Sequence, residues 1–438
     1  MSAVSPMQHS LQAAVREARE RYAARRTATR QIQLDAAAVM PGGNTRTVLH
    51  FAPFPLRIVR GDGAMIHDVD GHEYVDLLGE YTAGLFGHSE TRIAGELHRA
   101  IDDGLSLGAP SPYEVRFARL VTERFPAMEK VRFTNSGTEA NLMAIATARY
   151  ATRRARVLVF DGAYHGGLLS FSRGNSPINA PFDYVLGTYN DIDGTRALIR
   201  EAGATLACVL VEPMLGSGGC IPGDPEFLRM LRAETSACGA LLVFDEVMTS
   251  RFGPAGAGAV IGVRPDLMTL GKWVGGGMSF GAFGGRAQWM DLYDPNRRDA
   301  LAHAGTFNNN VLTMRAGAVT LSEVFPPARA EAHHARGETF RQALNDVFAA
   351  AGVALHASGA GSLLTIHGCT GPIRRVADLA ASQDERKELL FFDLLESGFY
   401  MARRGFIALS LAIDDGLTGR ALDAVRRVVR QRQSLLRD

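Results

Sequence analysis

The chain carries 47 Lys and Arg residues but only three are lysine, and one of these, Lys272, lies in TLGKWVGGGMSFGAFGG between an apolar run and a glycine cluster. Lys130 in AMEKVRF and Lys387 in SQDERKELLFFDLL have charged neighbours and read as solvated surface residues. Lys272 has no acidic neighbour in its segment. An ammonium group in apolar surroundings is costly unless it is paired, neutralised or used covalently. Low polarity around an amine also lowers its pKa, the direction needed for attack on a carbonyl.

Other reactive side chains follow short apolar runs. FTNSGTEANLMAIATARY places Ser136, Gly137 and Thr138 at a helix start, with Glu139 three residues after Ser136. That spacing has the form of a capping box. The same geometry, with exposed N–H groups, a helix dipole and hydroxyls, also makes a phosphate cradle. DGAYHGG presents Tyr164 and His165 among small residues, either as a loop aromatic packed on the sheet edge or as a platform for a flat ring. Glu212 ends ATLACVLVEP and Asp245 ends GALLVFDE. Asp245 reads as a helix cap or loop acid, or, if buried, as an acid that needs a cation such as a protonated pyridine nitrogen. Phosphate cradle, flat-ring platform, acid and lysine are the parts that hold pyridoxal phosphate.

These residues need a parallel sheet behind them. VRFTN, ARVLVFDG, ATLACVLVEP, GALLVFDE, DLMTLG and SFGAFGG are short, nearly continuous apolar runs separated by helical patterns, which predicts buried strands of a mostly parallel sheet. In such sheets ligands bind outside the carboxyl ends of the strands. PLRIVRGDGAMIHDVDGHEYVDL alternates around Asp62-Gly63 and Asp70-Gly71 and predicts antiparallel strands. After about residue 325 come the helix GETFRQALNDVFAAAG, the strands GSLLTIHG and GFIALSLA, and a final helix. The expected class is α/β, with a large domain over 81–325 and a smaller α+β domain built from both chain ends, 1–80 and 326–438. LQAAVREARERYAARR reads as a surface helix rather than a transit or signal peptide.

Composition excludes several partners. A net charge of +1 without a long block of one sign leaves no footprint for nucleic acid or a membrane surface. No apolar stretch reaches the length of a membrane span. Cys208, Cys220, Cys238 and Cys369 show no C-x-x-C spacing, so neither a disulfide framework nor a zinc site is expected, and a reducing, cytoplasmic setting fits. No metal-binding histidine pattern occurs, and the Gly271-Lys272 pair lacks the spacing of a P-loop.

NSGTEANLMA, FDGAYHGG, VLVEPM, LLVFDEVMTSR, LGKWVGGGMSFGAFGG and HAGTFNNNVLTM, in this order, resemble the successive signatures of the class III aminotransferases, of fold type I of the pyridoxal phosphate enzymes. The resemblance runs from about residue 40 to 410. It implies Lys272 as the Schiff-base lysine and proton shuttle, Asp245 on the pyridine nitrogen, and Val247 and Tyr164 on opposite ring faces. Ser136, Gly137 and Thr138 would hold the phosphate, and Glu212 would lie near the cofactor. Thr306 in GTFNNN would reach the phosphate of a neighbouring subunit, which implies a homodimer.

Within the family the chain is most similar to the branch of the glutamate-1-semialdehyde aminomutases and the bacterial β-amino acid (β-phenylalanine) aminotransferases. MPGGNTRTVLHFAPFPL resembles the substrate loop of the latter, with Arg46 at the carboxylate-binding place, and YMARRGFIALSL places Arg404 at a second one beside the unusual Arg403. Without the resemblance, each arginine reads as a surface residue. The implied activity is ping-pong transfer of the amino group from a β-amino acid, an aromatic one such as β-phenylalanine, to 2-oxoglutarate or pyruvate. The alternatives are an aminomutase that retains the amino group within one substrate, and a catalytically idle cofactor-binding protein of the same fold.

Overall fold

The structure, a computed structural model, describes residues 6–437. The described residues divide into two compact units, one comprising residues 6–90, 335–373 and 377–437, the other 91–334 and 374–376.

The first unit opens with α1 (Pro6–Arg25) and α2 (Thr27–Val39). Leu11, Val15, Ala18 and Tyr22 recur at helical spacing along α1 and are buried in the unit's core with Phe51, Phe54, Phe391 and Phe392. The segment expected to be a surface helix is therefore amphipathic, with one face packed inward and Arg16 and Arg25 outside, while Arg26 at its end is buried against Tyr74 and Glu396. Three antiparallel strands follow, β1 (Ile58–Asp62), β2 (Met65–Asp68) and β3 (Glu73–Asp76), with turns at the two Asp-Gly pairs.

The second unit holds the large sheet. Its strands are β4 (Lys130–Thr134), β5 (Arg156–Phe160), β6 (Asp183–Gly187), β7 (Leu206–Val211), then β10 (Leu241–Asp245), β11 (Leu267–Gly271) and β12 (Gly281–Gly285), after a small antiparallel pair, β8 (Met214–Leu215) and β9 (Ile221–Pro222). The sheet order is β4-β12-β11-β10-β7-β5-β6. Only β12 runs antiparallel to its neighbours. Every residue of β7, β10 and β11 is buried, as strands covered on both faces require. The edge strand β6 is half-exposed and has no continuous apolar run, so the sequence gives little sign of it.

Back in the first unit, β13 (His356–Ala360), β14 (Leu363–His367) and β16 (Phe406–Ala408) form an antiparallel sheet. The short β15 (Phe399–Tyr400) adds in parallel to β3. The architecture is thus a large, mostly parallel sheet unit and a smaller α+β unit built from both chain ends. No helix among the described residues is long and apolar enough to cross a membrane.

Candidate active site

Because β4, β5, β7, β10 and β11 point the same way, the residues that follow them share one edge of the sheet. Helix α5 (Gly137–Thr152) starts there, after two intervening helices, α3 (Thr91–Asp103) and α4 (Pro112–Arg124). Ser136 is its N-cap and accepts from Glu139 N at 3.2 Å. The reciprocal arm lands one residue earlier than a standard capping box, since Asn135 N donates to Glu139 Oε2 at 2.7 Å. The N–H groups of Gly137 and Thr138 fall among those that a helix start leaves without an intrahelical partner. A Cβ on Gly137 would stand 2.9 Å from Val247 Cγ2, so only glycine keeps the space between the helix start and that side chain. The loop after β5 comes equally close. A Cβ on Gly166, already at φ +128°, would meet Thr138 Oγ1 at 2.1 Å.

Asp245 ends β10 and is buried. Its Oδ1 accepts from Val247 N at 3.0 Å, and its Oδ2 accepts from Asn141 Nδ2 and from His165 Nδ1, both at 2.8 Å. His165 Nε2 is buried with no hydrogen-bond partner. Glu212 is also buried, and its two oxygens take the N–H groups of Tyr164 and Gly216, each at 2.9 Å. Tyr164 keeps 43 % of its surface exposed beside these buried acids.

Lys272 directly follows β11 and is partly exposed. Its φ is +53°, a left-handed conformation that costs a non-glycine residue about 1–2 kcal/mol and persists only where neighbours enforce it. The enforcement includes the next residue. Trp273 is fully buried and donates from Nε1 to Ser250 Oγ at 2.9 Å, which pins the chain immediately after the lysine. Lys130 and Lys387 form ion pairs with Asp291 and Asp384.

Thr306 does not join this group. It is exposed on the loop 305–310, where with Phe307 and residues 105–111 it lines a surface cavity of about 660 Å³. Among the described residues no hydrogen bond links it to Ser136, Gly137 or Thr138. The loop does approach the helix start, as Asn135 Nδ2 donates to Asn308 Oδ1 at 3.0 Å.

In the smaller unit, Arg46 and Arg404 both stand over the ring of Tyr81, with Cζ at 5.7 and 5.3 Å from its centroid. Tyr81 in turn stacks on Phe406 at 5.5 Å. Arg46 pairs with Glu80. Glu80, Tyr81 and Thr82 all have positive φ, 48°, 51° and 84°, which turns the chain so that Glu80 and Tyr81 face the arginines. Arg403 instead pairs with Glu388 at 3.3 Å, so geometry separates it from its neighbour. Sequence reading missed Tyr81, because nothing in GEYTAGLFGHS marks a left-handed turn.

Burial sets the electrostatics of the acids. Loss of hydration pushes Glu212 up to about 7, with the Asp245 charge adding to the rise and His165 opposing it. The same cause pushes Glu246 up to about 7, against donors from Gly258, Ala257 and Thr249. An acid whose folded pKa lies above the unfolded value of 4.5 keeps its proton in the folded chain where the unfolded chain has lost it. Its contribution to stability is then full below about pH 4.5 and is lost as pH rises through about 7. Glu246→Gln, which removes the titration, is expected to flatten the fall in denaturant midpoint between pH 5 and pH 8 relative to the parent chain. Parallel pH curves for the two proteins would contradict this. Among the described residues no group of three or more His, Cys, Asp or Glu side chains is placed to hold a metal ion.

Comparison with known proteins gives this arrangement a family. Residues 50–368 match the family described as aminotransferase class-III. The chain belongs to the class III aminotransferases. It is 51 % identical over 396 residues to the β-phenylalanine transaminase of Variovorax paradoxus, covering 90 % of this chain and 91 % of that one. The crystal structure of a β-phenylalanine aminotransferase from the same organism superposes with a TM-score of 0.96 at 48 % identity, covering 98 % and 99 % of the two chains. An ω-transaminase from Sphaerobacter thermophilus gives 0.86 at 36 % identity, over 92 % and 97 %. A glutamate-1-semialdehyde aminomutase from Pseudomonas aeruginosa PAO1 also gives 0.86, but at 22 % identity over 97 % and 98 %, which is a likeness of fold alone.

Proposed function

We propose that this class III aminotransferase is a pyridoxal 5'-phosphate-dependent transaminase that moves the amino group of an aromatic β-amino acid, of the β-phenylalanine kind, to 2-oxoglutarate or pyruvate in two half-reactions. The observation that carries the chemistry is the meeting of Lys272, Asp245 and the start of α5 at one sheet edge. The donor comes from the similarity to the Variovorax enzyme.

The residues fit the cofactor. Asp245 is a buried acid surrounded by neutral amide donors and one imidazole, a setting that favours a cationic ring nitrogen as its partner. Ser136, Gly137 and Thr138 offer hydroxyls and helix-start N–H groups to a phosphate. Val247 and Tyr164 would bound the two ring faces, and Glu212 holds the Tyr164 backbone in place. When bound, pyridoxal phosphate supplies a carbonyl for the amine and an electron sink for the carbanion.

Lys272 would be the amine that holds the cofactor through its carbonyl and, once freed, its Nζ would be the group that moves the proton at the donor's amine-bearing carbon. Asp245 would keep the ring nitrogen protonated. Arg46 and Arg404 hold the carboxylates of donor and acceptor, for which a guanidinium gives a two-pronged match. Thr306 contributes to the phosphate site of a second copy, making the working unit a homodimer. Sedimentation of the purified protein tests the dimer, and a monomer at assay concentration contradicts it.

The function is tested by incubating the holoprotein with β-phenylalanine and 2-oxoglutarate or pyruvate and measuring glutamate or alanine. Formation of either amino acid is expected. Turnover of glutamate-1-semialdehyde with no amino acid formed contradicts the reading. Arg404→Ala is expected to lower kcat/KM by about 10- to 100-fold, the worth of a charge-assisted hydrogen bond. Arg403→Ala, which removes only a partner of Glu388, is expected to leave it nearly unchanged. The reverse ranking would move the clamp to Arg403.

A further inference from the structure

Three anchors of the site lie on different elements: the phosphate cradle on α5, the acid at the end of β10, and the lysine after β11. One buried side chain touches the supports of all three. Asn141 is 1 % exposed and sits one helical turn past the cradle on α5. Its Nδ2 donates to Asp245 Oδ2 at 2.8 Å and to the His165 carbonyl at 3.0 Å. Its Oδ1 accepts from Thr269 Oγ1 at 2.8 Å. Thr269 pairs across the sheet with Asp245 and lies three residues before Lys272.

The orientation of this amide is forced. Turned over, its oxygen would face a carboxylate oxygen and a carbonyl oxygen, two acceptors with no proton between them. In the observed orientation both amide protons are spent on acceptors, and the Thr269 hydroxyl fills the remaining place. The Thr269 hydroxyl itself is 3.5 Å from Asp245 Oδ1 but 2.8 Å from Asn141 Oδ1, so the amide is its better acceptor.

We propose that Asn141, oriented by Thr269, is a positioning residue that fixes the Asp245 carboxylate relative to the phosphate-holding helix and so sets how firmly Asp245 keeps a proton on the cofactor's ring nitrogen. The inference rests on the pyridoxal phosphate reading above. It assigns Asn141 no contact with substrate. The charged and titratable groups facing Asp245 are His165 from the loop after β5, Glu212 from the end of β7 and the adjoining Glu246, and of these only His165 loses a contact when Asn141 is changed, at its backbone carbonyl rather than its ring. A weaker hold on the ring-nitrogen proton leaves the Lys272 nitrogen more basic when it is linked to the cofactor. The pH midpoint of the holoprotein's visible absorbance should therefore rise.

The test is a spectral pH titration of four holoproteins: parent, Asn141→Ala, Thr269→Val and Thr269→Ser. Asn141→Ala is expected to raise the midpoint by about one pH unit, the scale of one lost hydrogen bond to a charged group. Thr269→Val should move it in the same direction by less, and Thr269→Ser, which keeps the hydroxyl, should restore the parent value. The kcat for β-phenylalanine should fall about ten-fold or more in Asn141→Ala with KM little changed. A lowered melting temperature with an unmoved midpoint in both Asn141→Ala and Thr269→Val would mean a purely structural role and overturn the proposal. Should Asn141→Ala fail to fold, the Thr269 pair decides, since equal midpoints in Thr269→Val and the parent contradict the orientation argument. A parent protein that shows no visible absorbance with pyridoxal phosphate overturns the underlying reading, and this inference with it.

Discussion

Replacing Lys272 by alanine is expected to reduce transamination by more than about 10⁴-fold, because one substitution removes both the nucleophile and the proton carrier, and the second role alone is worth about 10²–10⁴. Loss of activity should not mean loss of the site. Ser136, Gly137, Thr138 and Asp245 stay in place, so the variant should still bind pyridoxal phosphate, now without a covalent link. Equilibrium dialysis with the cofactor alongside the β-phenylalanine assay separates the two effects. Bound cofactor with activity near zero is the expected pair. Activity within ten-fold of the parent would place the reactive amine elsewhere, and the chain offers only Lys130 and Lys387, each held by an acid.

Asp245→Asn carries the second-largest expected effect. The side chain keeps its shape but loses the charge that holds a proton on the ring nitrogen. Breaking a buried pair by removing one partner costs about 3–5 kcal/mol, which corresponds to about 10²–10⁴-fold in rate if the pair is strongest in the transition state. Asp245 Oδ1 accepts from Val247 N and Oδ2 from His165 Nδ1 and Asn141 Nδ2, so an amide nitrogen at either position sets a donor against a donor. Cofactor affinity should therefore fall as well as kcat. The distinction from the lysine variant is sharp: Asp245→Asn should retain the covalent link at Lys272 while turning over slowly. A kcat within three-fold of the parent would show that the acid does not serve the ring nitrogen.

The sheet was legible because β5, β7, β10 and β11 are buried on both faces and so appear as unbroken apolar runs, and residues directly after them are the ones the parallel direction gathers at one edge. That is why Asp245, Glu212 and Lys272 could be singled out from local sequence. The half-exposed β6 left no such trace. The contacts of Asn141 and Tyr81 were not legible for a different reason. Asn141 meets its partners through cross-sheet register, which aligns Thr269 with Asp245, and Tyr81 meets the arginines through three consecutive left-handed residues, and neither has a signature in residue type. The resemblance alone singles out Arg404 over Arg403, and in the structure the two adjacent arginines differ in which neighbour each meets: Glu388 for Arg403, the Tyr81 ring for Arg404. The α1 segment shows the reverse. Its apolar residues at helical spacing were present in the sequence but masked by the density of arginines around them.

Borohydride reduction of the holoprotein, followed by proteolysis and mass mapping, tests the central claim most directly. The added pyridoxyl phosphate mass is expected on the peptide containing Lys272, with Lys130 and Lys387 unmodified. Label on either of those two lysines, or on none, would contradict the assignment of Lys272 as the amine that carries the chemistry.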